Sequence, residues 1–349
     1  MSTSQLARNA RALVAAAKGL LAADESTGTI AKRFDAVGIE NSEANRRRYR
    51  QLLFSTKDVA QYISGVILYD ETIRQQADDG TPLMGLIGRQ GLIPGIKVDT
   101  GARPLAGSPG ELVTEGLDGL RERLVDYRAL GARFAKWRAV IRIGLGLPTA
   151  ACIEANASAL ARYAALCQEN GLVPIVEPEV LMDGDHTIER CFEVTEAVQH
   201  AVFASLYRYH IAFEEMLLKP NMVLAGTMCP RRAAIREVAE ATLRCLRRTV
   251  PAAVPGIVFL SGGQDEQAAT VHLNALNTLP GPHPWPLSFS YGRALQATAL
   301  AAWRGEPERV AAGQRAFSHR ARCNSAAREG RYTPELEQIP SQPAGGHRP

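Results

Sequence analysis

The sequence has no uninterrupted apolar run of about 18 residues, the length a helix needs to cross a bilayer. Its N-terminal stretch MSTSQLARNARALVAAAKGLL is amphipathic and lacks the long apolar centre of a signal peptide. A membrane span is therefore not expected, and a cytoplasmic protein is. The six cysteines (152, 167, 191, 229, 245 and 323) contain no Cys-x-x-Cys pair. They read as reduced packing residues rather than a disulfide frame. Charge of one sign is scarce too: 40 basic against 36 acidic residues leave a formal net charge of +4, with pI ≈ 8.8. That mild excess, spread over many positions, is weak evidence for a nucleic-acid partner, and none is expected. The densest basic run, Arg46, Arg47, Arg48 and Arg50, reads as a solvated helix face.

Lysine is the scarcity with the most chemical content. Only six of the 40 basic residues are lysine, at 18, 32, 57, 97, 136 and 219; the rest are arginine. Arginine neither gives up its proton nor forms an imine, whereas lysine does both. Lys219 stands out further, because EMLLKPNMVLAG (215–226) sets a strongly hydrated ammonium inside an apolar run.

What is abundant is apolar residue: 46% of 349 positions, ample for a large core. Eight short runs rich in Val, Ile, Leu and Phe read as strands buried on both faces. They are 19–24, 65–70, 92–99, 133–141, 172–180, 216–221, 256–263 and 286–293. Between them lie helical patterns, including SEANRRRYRQLLFSTKDVAQY, which starts on a capping serine, and LDGLRERLVDYRALG, which stops on glycine. Eight alternations predict an α/β fold, a single (β/α)8 TIM barrel with an N-terminal helical extension. No G-x-G-x-x-G follows the first strand, which disfavours the runner-up, a doubly wound open sheet. The expected organisation is one barrel domain over 1–333 and a mobile, Pro/Gly-rich C-terminal tail over 334–349.

In such barrels chemistry sits at the C-terminal strand ends. Here those ends carry Asp24, Lys97, Asp99, Lys136, Arg138, Glu177, Glu179, Lys219 and Asn221. Side chains two apart on a strand share a face, so Lys136 points with Arg138 and Glu177 with Glu179. One buried ion pair is usually structural, but desolvating so many ions costs several kcal/mol each, which stability alone seldom requires. A cation beside Lys219, such as Lys136, would favour its neutral amine, which attacks a carbonyl to form an imine. Asp24 and Glu177 are candidates to move the protons. LSGGQ (260–264) and SYGR (290–293) place glycine loops after the seventh and eighth strands, the usual phosphate site of these barrels, with Arg293 at hand. DESTGTIAKR (24–33) offers a second hydroxyl- and base-rich loop. Two anion sites about an imine-forming lysine suit a sugar phosphorylated at both ends.

Taken together, GLLAADESTGTIAKRF, GIKVDTG, FAKWRAV, VEPEV, LLKPNMV, FLSGGQ and SFSYGRALQA, in this order over nearly the whole chain, resemble class I fructose-1,6-bisphosphate aldolase. The resemblance implies reversible cleavage of fructose 1,6-bisphosphate to dihydroxyacetone phosphate and glyceraldehyde 3-phosphate. Lys219 would be the Schiff-base lysine, Asp24 the group assisting proton transfer at the C4 hydroxyl, Glu177 the main acid/base and Glu179 its support. Lys136 would stand beside the imine, with Arg138 and Lys97 as substrate contacts. Ser261, Gly262, Gly292 and Arg293 match one phosphate site; Ser26, Thr29 and Lys97 fall at the other. The resemblance implies no metal, no cofactor and a homotetramer, and the seven scattered histidines include no i,i+4 pair. Three positions depart from the pattern. Thr29 replaces a frequent serine and keeps the hydroxyl. Glu215-Met216 replaces Gly-Thr of animal members; Met216 is expected to face outward if Lys219 faces in. The chain ends His347-Arg348-Pro349 without the terminal tyrosine that assists enamine protonation in animal members. Alternatives are another imine-forming sugar-phosphate aldolase or transaldolase, which needs only one anion site, and a non-catalytic scaffold barrel, expected to have lost part of the Asp24, Lys136, Glu177, Lys219 set.

Overall fold

The computed structural model describes residues 4–281 and 283–338. The strands are β1 Gly19–Ala23, β2 Ile63–Leu68, β3 Ile93–Lys97, β4 Gly101–Pro104, β5 Leu112–Glu115, β6 Phe134–Ile141, β7 Val173–Val180, β8 Leu217–Leu218, β9 Ile257–Phe259 and β10 Leu287–Tyr291. Eight of them close a parallel barrel in the order β1-β2-β3-β6-β7-β8-β9-β10, with β10 pairing back onto β1 at Leu20↔Ser290. The eight apolar runs are these eight staves. β8 and β9 are shorter than their runs, because Pro220 has no N–H to continue the ladder and Gly262 and Gly263 turn away at positive φ. β4 and β5 form an antiparallel hairpin outside the barrel. The sequence pattern does not mark it, since its residues alternate too weakly to signal a strand. Thr114 on β5 donates its hydroxyl to the Arg138 carbonyl at 2.7 Å, so the hairpin leans on β6.

Each stave changes character along its length. Leu20, Ala22, Ile67, Phe134, Val173, Ile175, Leu217 and Val258 pack into one apolar cluster inside the barrel. Continuing in steps of two on the same strands gives Asp24, Tyr69, Lys136, Arg138, Glu177, Glu179 and Lys219, all lining one cavity. Because side chains alternate sides, one parity builds both a dry floor and a charged mouth. The other parity, including Leu21, Val66, Trp137, Val176, Leu218 and Phe289, packs outward against the helices. Met216 is buried in that outer set, as its position three before Lys219 implied.

The N-terminal helix Gln5–Leu13 closes the floor: Ala10, Leu13 and Val14 join the inner cluster. The approach is so close that only glycine fits opposite it. A Cβ on Gly65 would lie 2.9 Å from Leu13 Cδ2, and one on Gly256 would lie 2.7 Å from Val14 Cγ1. Helices 27–35, 43–54, 150–169, 188–208, 235–249 and 310–328 flank the barrel, the first four N-capped by Ser26, Ser42, Thr149 and Thr187. Among the described residues no helix is long and apolar enough to cross a membrane.

The basic run at 46–50 is not a solvated face. Arg50 is 3% exposed and pairs with Glu25 at 2.5 Å; Arg46 pairs with Glu71 and Arg47 with Asp78. Only Arg48 remains exposed. The helix turns Arg50 onto the face that carries Tyr49, Leu53 and Phe54, where the end of β1 supplies its carboxylate. The expected tail begins with a 3-10 turn at Pro334–Glu337, tied to the last helix by Glu337 and Arg320. The remainder of the tail, 339–349, lies outside the described residues.

Candidate active site

All thirteen residues singled out from the sequence line a single cavity of about 790 Å3 at the C-terminal mouth of the barrel: Asp24, Ser26, Thr29, Lys97, Lys136, Arg138, Glu177, Glu179, Lys219, Ser261, Gly262, Gly292 and Arg293. Four of the six lysines line it, Lys32 joining 97, 136 and 219.

Strand register arranges the centre. Lys97 is level with Lys136, and Arg138 with Glu177. β3 ends at Lys97, so β6 and β7 continue alone above the mouth and carry their charges over the cavity. Glu177 lies between two amines: Oε1 is 3.1 Å from Lys219 Nζ and Oε2 is 3.2 Å from Lys136 Nζ. Lys136 Nζ also reaches Asp24 Oδ2 at 2.7 Å. The chain Lys219–Glu177–Lys136–Asp24 is thus one alternating row of charges, with Lys136, Glu177 and Lys219 all at most 4% exposed. The sequence suggested that Lys136 acts directly on Lys219 as a neighbouring cation; instead the two ammonium groups share a carboxylate. Parity on β6, β7 and β8 aims all three side chains inward, and the carboxylate on the middle strand falls between them.

Electrostatics follow from the row. Burial by itself would raise Asp24, but Lys136, Lys219 and Lys97 outweigh it and hold the carboxyl well below its ordinary range. Glu177 is lowered in the same way: burial opposes, while Lys136, Lys219 and Arg138 prevail. Lys136 is raised despite burial, because Asp24, Glu177 and Asp99 surround it. Arg138 is likewise raised against burial by Glu179, to which its Nε donates. Ser290 Oγ, buried and facing the cavity, has no hydrogen-bond partner among the described residues. Buried polar atoms are normally satisfied, so this hydroxyl is open to a guest.

The rim holds the loops that the sequence marked for anion binding. Ser26 caps helix 27–35, accepting from Thr29 N at 3.3 Å, and its hydroxyl lies 3.0 Å from that of Thr29. Lys97 Nζ sits across from it on Asp99, 2.6 Å from Oδ1. On the other side, Gly262 and Gly263 turn at positive φ, and Arg293 holds the Gly263 carbonyl at 2.6 Å from the start of helix 293–303. Helix N-termini and glycine turns present N–H groups to an anion.

Several lining residues named in the sequence were given no role there. Glu25 accepts from Arg33, Arg50 and Gln296, locking the first turn after β1. Asp99 anchors Lys97 and accepts from the Arg138 backbone N–H at 3.2 Å. Ser290 stood within SYGR without being singled out. Strand parity counted back from Gly292 would have found Ser290; nothing local marks Arg50 as the partner of Glu25.

Fold and cavity together define a (β/α)8-barrel enzyme with a lysine–carboxylate centre at the strand C-termini. The family model of fructose-bisphosphate aldolase class-I matches residues 5–344. The chain is 59% identical to a probable fructose-bisphosphate aldolase class 1 of Xanthomonas campestris pv. campestris, over 95% of this chain and 99% of that protein. It is 56% identical to fructose-bisphosphate aldolase 1 of Toxoplasma gondii, over 94% and 91%. A solved structure of fructose-bisphosphate aldolase from Plasmodium falciparum superposes with a TM-score of 0.93 at 52% identity, covering 94% of this chain and 95% of that one. The chain belongs to the class I fructose-bisphosphate aldolase family, carbon–carbon lyases of glycolysis.

Proposed function

We propose that the chain cleaves fructose 1,6-bisphosphate reversibly through an imine on Lys219. The observation that carries this reading is the placement of Glu177 between the Lys219 and Lys136 amines, one oxygen toward each. Lys219 Nζ adds to the C2 carbonyl carbon, and Glu177 takes the amine proton and returns it to the departing hydroxyl as water leaves. The protonated imine then draws the electrons of the C3–C4 bond. Asp24, held ionised by Lys136, accepts the C4 hydroxyl proton as that bond breaks and the aldehyde departs. The enamine left on Lys219 is protonated at C3, and hydrolysis releases the ketone. Lys136 fixes both carboxylates, and Arg138 fixes Glu179 beside them. Ser261, Gly262, Gly292 and Arg293 receive one phosphate; Ser26, Thr29 and Lys97 receive the other.

Incubation with dihydroxyacetone phosphate, borohydride reduction and peptide mass spectrometry test the assignment. The expected adduct is on Lys219; an adduct on another lysine, or none, overturns it. The same reading includes a cytoplasmic setting, in keeping with six buried free cysteines, one barrel domain over 1–333, and a homotetramer, which light scattering on the purified chain checks.

A further inference from the structure

Away from the cavity, three side chains of metal-binding type converge at the end of the barrel's last helix. His319 and Cys323 are four residues apart on helix 310–328, hence on one face. Glu337 comes to them from the 3-10 turn at 334–337, and the three ligand atoms lie within 4.8 Å of one another. None of the three lines the catalytic cavity. We propose that His319, Cys323 and Glu337 form a site for a single borderline-soft divalent cation of the zinc class, which fastens the 334–337 turn to helix 310–328.

The geometry fits such an ion. Bonds of about 2.3 Å to sulfur and 2.0–2.1 Å to nitrogen at a tetrahedral angle place the two ligand atoms about 3.6 Å apart. Cys323 Sγ and His319 Nε2 are 3.8 Å apart. Nitrogen, sulfur and oxygen donors in one set favour zinc over magnesium or calcium, which take oxygen alone. The Cys323 thiol donates to the Leu336 carbonyl at 3.4 Å, which the ion would replace.

Charge and protonation are also compatible. Burial, with Arg320 and Arg322 nearby, lowers His319 and so favours the neutral ring that binds a metal. Burial raises Cys323, which is therefore a thiol before the ion arrives. Binding exchanges its proton: Cys–SH plus M2+ gives Cys–S–M+ plus H+. The thiolate and Glu337 then cancel the charge of the ion, so Arg320 and Arg322 do not repel it. Glu337 now accepts from Arg320 and from Tyr332 at 2.8 Å. A carboxylate has further lone pairs, and it keeps one of these partners while ligating. The other charged or titratable groups facing the cluster are Arg320, Arg322 and the neutral Tyr332 phenol, and affinity falls as pH is lowered, because the thiol and imidazole then hold their protons.

The test is a cobalt(II) titration of the full chain, stripped with EDTA and desalted. One equivalent should bind and give a thiolate-to-cobalt charge-transfer absorption, releasing about one proton per ion at neutral pH. Zinc should displace the cobalt and raise Tm. Cys323→Ser should abolish the absorption. His319→Gln and Glu337→Gln should each weaken zinc by about 100-fold or more, the upper end of what loss of a mere outer-shell partner costs. His319 is half-exposed, so His319→Gln covers the case in which Cys323→Ser fails to fold. Absence of saturable absorption in the unaltered chain, or equal affinity in the His319 and Glu337 variants, overturns the site.

Discussion

At the scale of the residue, the proposed reaction turns on Lys219 and on Glu177 beside it. Lys219→Arg keeps the charge but cannot form an imine, so turnover should fall by about 10³-fold or more with no borohydride-trapped peptide. Glu177→Gln should lower kcat by about 10²- to 10⁴-fold, the usual contribution of a proton-transfer group, while Lys219 remains trappable. The same residues contribute to the loss of stability in acid. Asp24 and Glu177 are lowered in the folded chain, so the unfolded chain takes up protons first as pH falls. Their contribution is complete above the unfolded values near 4 and is lost progressively below them. Lys136 is raised, so its contribution is complete below about 10.4, its unfolded value, and is lost only above that. The urea midpoint should therefore stay flat between neutral and mildly alkaline pH and drop below about pH 4. Asp24→Asn should flatten part of the acid drop; an unchanged profile in that variant would show that the carboxylate is not held as described.

At the scale of the element, two packing arrangements can be separated by mutation. Arg50→Met leaves Glu25 with Arg33 and Gln296 only, and should cost about 3 kcal/mol, the lower end for breaking a buried pair. Arg48→Met, two residues earlier on an exposed side chain, should stay within about 0.5 kcal/mol. Denaturant melts of the two variants check the contrast. Gly256→Val should push Val14 and the floor helix outward and cost about 1–3 kcal/mol of overpacking. Activity per folded molecule should survive, since the floor is a full side-chain layer below the mouth. The sequence made the eight staves legible because β-branched apolar runs have few other places to go. It did not reveal the β4–β5 hairpin or the burial of Arg50. Both depend on partners far away in the chain: β6 under the hairpin, and Glu25 opposite the arginine.

At the scale of the whole molecule, residues from strands all round the barrel line one mouth, and no step of the proposed reaction uses a metal. Prolonged EDTA treatment should leave turnover unchanged, even though it would strip the cation at His319, Cys323 and Glu337. A chain ending at residue 338 tests the tail directly. The removed residues 339–349 contain no tyrosine, so their loss should leave cleavage of fructose 1,6-bisphosphate within about twofold, with product release or enamine protonation limited from within the barrel. A collapse of turnover would assign residues 339–349 a catalytic part. By itself the sequence determined the barrel, through eight buried runs. It also picked out the charged residues that line the mouth, through a few lysines kept among many arginines and carboxylates two apart on strands. Only the tertiary structure decided how that set is wired. Parity is a local property and fixes which way each side chain points. Register between strands distant in sequence fixes who stands next to whom, and it set Glu177 between Lys219 and Lys136 rather than leaving the two cations face to face.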